Sequence, residues 1–170
     1  MTSKRKIAIL LGSVVFCEII FAFLIKEIAS TSPGFEIFDM KLFYSITSFH
    51  DNLVLLQRES YNALILFKML DTVFPVMYGL LLYIWLKHVH VTNKILLVIP
   101  LIGMTADLLE NILLTFKTFF TNQYDFLIWF TNAFTIIKFT SIFISVILII
   151  YFGKKGSGKN DNIGNETFID

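Results

Sequence analysis

Four long apolar runs, at residues 7–25, 64–86, 95–116 and 127–152, set the pattern of the chain. A helix needs about 20 mostly apolar residues to cross the hydrocarbon core of a bilayer, so each run predicts a spanning helix. The link between the second and third runs and the link between the third and fourth are short. The link between the first and second, residues 26–63, is long. In it Ser32-Pro33-Gly34 reads as a turn. Beyond the turn Leu42, Ile46, Phe49, Leu53 and Leu56 recur at helical spacing, which predicts an amphipathic helix lying on the outer leaflet or capping the bundle. Asp39 is its expected N-cap, and Asp51-Asn52 its expected interruption. The fold expected is all-α: an antiparallel four-helix membrane bundle with one extra amphipathic helix on the extracytoplasmic side. Residues 1–152 form the membrane domain, and residues 153–170, rich in Gly, Asn and Lys, form a disordered cytoplasmic tail.

Composition sharpens this picture. The 170 residues are 56% hydrophobic and only 16% charged, against about 25% charged in soluble domains. Mean hydropathy is +0.74. A net charge of +1 leaves no basic stripe for a nucleic acid. Lys4, Arg5 and Lys6 precede the first run, but it is too long for a signal-peptide core, contains Glu18 and ends in Lys26-Glu27. Eight lysines and arginines fall on the side of the two termini and five on the other. The positive-inside rule therefore places both termini in the cytoplasm, and a bacterial cytoplasmic membrane is the expected location. Trp85, Trp129, Tyr83, Tyr124 and Tyr151 lie near segment ends, where interfacial aromatics belong. Cys17 reads as a small buried hydrophobe.

The polar residues inside the apolar runs carry the chemistry. Ionisable groups within a membrane are costly and usually face a bundle interior or a wet cavity. Glu18, Asp71, Asp107, Glu110 and Lys138 come from all four runs. At about 1.5 Å per residue they lie roughly 9–16 Å from the outer ends of their segments, at similar depth. Asp107, Glu110 and Asn111, at i, i+3 and i+4, share one helix face. Thr131, Thr135, Lys138, Ser141 and Ser145 form a second stripe, and Asp71, Pro75 and Tyr78 share a third face. Pro75 cannot donate to the carbonyl of Asp71, so that carbonyl needs another partner. The candidate ligand-binding set is therefore Glu18, Asp71, Tyr78, Asp107, Glu110, Asn111, Thr135 and Lys138. Lys138 is expected to pair with Asp107 or Glu110, and Lys68 to snorkel outward. His88 and His90 sit in a short basic link and suggest no metal site. His50 and Arg58 are candidates to line a mouth. No metal and no cofactor is expected.

Tyr44-Ser45, Arg58, Tyr61, Asp71 with Phe74-Pro75 and Tyr78, and Asp107 with Glu110-Asn111 together resemble a pattern in small, uncharacterised bacterial four-helix membrane proteins. The resemblance covers most of residues 40–115. It implies that these polar positions belong together and supplies no substrate.

Three functions fit these residues. The first is binding or transport of a small solute, a cation or proton, or an amphiphile, in which the lipid bilayer is the medium and a homodimer the expected assembly. The second is an intramembrane enzyme acting on a lipid-like substrate, with Asp71, Asp107 and Glu110 as acid and base and Lys138 as electrostatic stabiliser. The third is an accessory subunit of a membrane complex.

Overall fold

The computed structural model describes residues 2–38, 41–56, 58–120 and 125–160. Among them are five α-helices and no strand. They are α1 (Ser3–Thr31), α2 (Ile46–Val54), α3 (Tyr61–His88), α4 (Lys94–Phe120) and α5 (Leu127–Asn160), with one 3-10 turn at Arg58–Ser60 ahead of α3. Helices α1, α3, α4 and α5 are each long and apolar enough to cross a membrane. In lipid only a helix satisfies its own backbone, so an unbroken apolar run folds as one.

The four long helices do not pack equally. α4 lies against α5 and against α3, while α1 lies on α3 and makes little contact with α5. Glycines permit two close approaches, between α3 and α4 and between α4 and α5. A Cβ on Gly79 would lie 2.7 Å from Cβ of Met104, and a Cβ on Gly103 would lie 2.8 Å from Cβ of Ser141. Backbones that approach this closely need glycine there, as is common between membrane helices. α1 is held by Cys17, Phe21 and Ile28, which join Ala63, Leu64 and Phe67 of α3 in one cluster. The Phe21 ring sits 4.8 Å from that of Phe67 and 5.4 Å, edge-on, from that of Phe74. Leu24 and Ile25 pack beside this cluster, while Phe16, Ile19 and Phe23 face outward.

The long link folds over one end of the bundle. α2 is shorter than the apolar spacing predicts and begins after Ser45, whose side chain accepts from the Ser48 amide at 3.0 Å. Asp39 lies outside the described residues. Asp51 and Asn52 do not interrupt the helix. Asn52 is buried and clamps the extended segment before α2: its Nδ2 donates to the Glu36 carbonyl at 2.6 Å, and its Oδ1 accepts from the Glu36 amide at 2.8 Å. Tyr44 is held in the same way, by the side chain of Asn132 on α5. At the other end, α3 stops in a Schellman turn. His90 takes the left-handed conformation, with φ of 64°, its amide bonds to the Lys87 carbonyl, and the Val91 amide bonds to the Leu86 carbonyl at 3.1 Å.

The final helix extends past the expected start of the tail at Gly153. α5 runs to Asn160, so residues 153–160 are helical. No proline interrupts them. Residues 161–170 lie outside the described residues.

Candidate functional site

Lys138, on the buried stripe of α5, reaches across to both carboxylates of α4. Its Nζ lies 3.1 Å from Oδ1 of Asp107 and 2.8 Å from Oε2 of Glu110. The spacing of Asp107 and Glu110 puts both on the face of α4 that meets α5, so one ammonium serves two acids. Lys138 is 6% exposed and Glu110 fully buried.

Hydroxyl groups complete the arrangement. Thr135, one turn before Lys138, donates to Oε1 of Glu110 at 2.6 Å. Tyr78 on α3 donates to Oδ2 of Asp107 at 2.9 Å. Asp107 thus accepts a hydrogen bond from α3 and an ion pair from α5, while Glu110 takes both from α5, so α3, α4 and α5 are tied at one level. Charge-assisted bonds of this kind are roughly twice as strong as neutral ones.

Asn111 resolves the backbone problem created by Pro75. Its Nδ2 donates to the Asp71 carbonyl at 2.8 Å. The proline has no N–H to offer this carbonyl, and the amide from α4 takes its place.

A cavity of about 560 Å³ opens beside the cluster. It lies between α1 and α5, the two helices that do not close on each other, with α3 and α4 behind. Glu18, Asp71, Asp107 and Lys138 present the polar part of its wall. Rings of Phe21, Phe67, Phe74 and Phe139 make up much of the remainder. Glu110 lies behind Lys138 and does not line it. Among the described residues no group of three or more His, Cys, Asp or Glu side chains is placed to hold a metal ion.

Seven of the eight candidate residues thus meet: Asp71, Tyr78, Asp107, Glu110, Asn111, Thr135 and Lys138. Glu18 joins them only as part of the cavity wall. Lys68 does not snorkel. It is buried, with its Nζ 3.6 Å from Oδ2 of Asp71. One helical turn places the two side chains on the same inward face, where the carboxylate offers the ammonium a closer partner than the distant membrane surface.

No family model matches the chain, and no curated protein and no solved structure is similar to it.

A second lysine-centred cluster escapes sequence reasoning. Lys117, near the end of α4, is 1% exposed, and its Nζ donates to Oδ1 of Asp125 at 2.6 Å. His50 of α2 meets the same oxygen at 3.0 Å. The Lys117 ammonium, and after it the His50 ring, hold the Asp125 carboxyl below the usual carboxylate range. Phe49 is fully buried beneath Lys117. His50, expected to line a mouth, instead fastens α2 to the α4–α5 link. Nothing in the spacing of residues 50, 117 and 125 announces this contact.

Proposed function

We propose that the chain is a polytopic membrane protein that binds an amphiphile in the cleft between α1 and α5, with Asp107 and Lys138 recognising its polar part. The cavity carries this reading. Its volume falls within the range of about 300–1,000 Å³ usual for small-molecule sites. Most of its wall is apolar, and its few polar groups come from all four spanning helices. An opening between two spanning helices faces lipid, so a ligand that already partitions into the bilayer has the shorter route. In this reading the helices alternate in direction as an antiparallel bundle, α2 caps the extracytoplasmic end, and both termini face the cytoplasm of a bacterium. The open edge of α1 is also the face where a second copy would pack.

Filling the cavity tests the proposal. Leu82 lies on the wall and is buried. Protein purified in maltoside micelles should retain a hydrophobic small molecule, detected by mass spectrometry of an organic extract. Leu82→Trp should lose that molecule while keeping the helical circular dichroism of the wild type. An empty wild-type extract, or equal retention by the variant, would count against the cleft as the binding site.

One observation favours catalysis as a second reading. Asp107 and Glu110 share an ammonium but differ in surroundings: Asp107 reaches the cavity and accepts from a phenol, while Glu110 is sealed behind Lys138. Unlike environments separate the proton affinities of paired acids, as acid–base catalysis requires. Under this reading Glu110→Gln changes the lipid profile of expressing cells. Identical profiles would leave binding as the better account.

A further inference from the structure

We infer that the ligand of the α1–α5 cleft is a lipophilic cation, such as a protonated or quaternary amine carried on a hydrocarbon body. This rests on the binding reading above and narrows it to one class. Three lines of argument meet here.

The first is charge. Four carboxylates, Glu18, Asp71, Asp107 and Glu110, lie in or directly behind the cavity wall, against two ammonium groups, Lys68 and Lys138. Lys138 is already shared between two acids. An excess of negative charge in an apolar setting calls either for protons or for a cation. An anionic ligand would add to the excess and is disfavoured.

The second is the rest of the wall. Phe21, Phe67, Phe74 and Phe139 present aromatic rings to the same space. The face of an aromatic ring attracts a cation within about 6 Å of its centroid. Lys138 already exploits this, with its Nζ 5.2 Å from the centroid of Phe139. Rings and carboxylates on one wall suit a positive charge whose substituents are apolar.

The third excludes the simplest cation. A bare metal ion needs several converging oxygen or nitrogen ligands. The described residues offer no such group. A space of about 560 Å³ is also far larger than a single ion fills. The cation must therefore bring its own hydrocarbon shell.

Two ions of matched shape and opposite sign decide the matter: tetraphenylphosphonium and tetraphenylborate. Binding of each radiolabelled ion to the full chain in maltoside micelles is measured by equilibrium dialysis, with protein-free micelles as the blank. Tetraphenylphosphonium should bind saturably and at least about tenfold more tightly than tetraphenylborate, a difference of about 1.4 kcal/mol. Glu18→Gln, at an exposed position that holds no other helix, should weaken only the cation, by several-fold. Asp71→Asn should do the same, provided its thermal transition matches that of the wild type. Equal affinity for both ions, or preference for the borate, overturns the inference but leaves an uncharged amphiphile site standing. If neither ion binds while the wild type still retains a molecule lost in Leu82→Trp, the inference falls and the binding reading survives. If neither ion binds and no molecule is retained, both fall.

Discussion

Lys138 and Lys117 are each almost fully buried, and each meets a carboxylate from another part of the chain. Their carboxylates differ. Those of Lys138 are buried among three helices, where Asp107 borders the cavity and Glu110 has no exposed surface. That of Lys117 belongs to Asp125, whose side chain is 44% exposed. In the first cluster a lost partner leaves charge stranded in a medium that cannot solvate it. In the second, water takes over. Similar ion pairs thus do different work: one fixes a site, the other fastens a cap.

Removing each ammonium should expose this difference most strongly. Lys138→Met leaves Asp107 and Glu110 buried without their shared cation, and breaking a buried pair costs about 3–5 kcal/mol. The Lys138→Met protein is expected to unfold readily in thermal melts in maltoside micelles. Neutralising the stranded acids should restore much of the loss, so K138M/D107N/E110Q melts higher than K138M alone. Lys117→Met leaves Asp125 to water and to His50 and should lower the transition much less than Lys138→Met does. Equal losses in the two single variants would erase the distinction between the clusters.

The next effect lies beside the first cluster and concerns backbone rather than charge. Asn111→Leu takes away the donor to the Asp71 carbonyl, and an unsatisfied buried acceptor costs about 1–3 kcal/mol. Pro75→Ala gives α3 back the N–H that this carbonyl lacks. In the Pro75→Ala background the cost of Asn111→Leu should therefore shrink. Additive losses in the double variant would show that Asn111 acts through other contacts.

These residues also mark how far the sequence could be read. The spans follow from long apolar runs, which permit little else in a membrane. The site follows from spacing: acids and an amide at i, i+3 and i+4 on α4, and hydroxyls flanking Lys138 on α5, must share faces once the helices form. The need for a partner at the Asp71 carbonyl follows from Pro75 alone, though not which residue answers it. What spacing does not carry is contact across links. His50 meets Asp125, and Asn132 holds Tyr44, because the chain folds back over one end of the bundle. Lys68 turns inward, against its expected outward reach, for a related reason: snorkelling and inward pairing use the same flexible stem, and only packing decides between them. The open edge between α1 and α5, which creates the cavity, likewise depends on packing.

The smallest expected effect belongs to the exposed clasp. Lys117 and His50 lower the affinity of Asp125 for protons in the folded chain. A carboxyl lowered in this way contributes stability at pH values above its unfolded pKa of about 3.9. That contribution disappears as pH falls through the lower folded value. Amide-exchange protection of α2, the element that His50 anchors, should therefore be steady near neutral pH and decline in strong acid. Asp125→Asn should show weaker protection than the wild type near neutral pH, and the difference should close in strong acid. Salt provides an independent check. Near 1 M the screening length falls to about 3 Å, which should loosen α2 while the sealed Lys138 cluster holds its thermal transition. If salt moved that transition as much as it moved the protection of α2, water would be reaching Glu110, and the contrast between the two lysines would be one of degree.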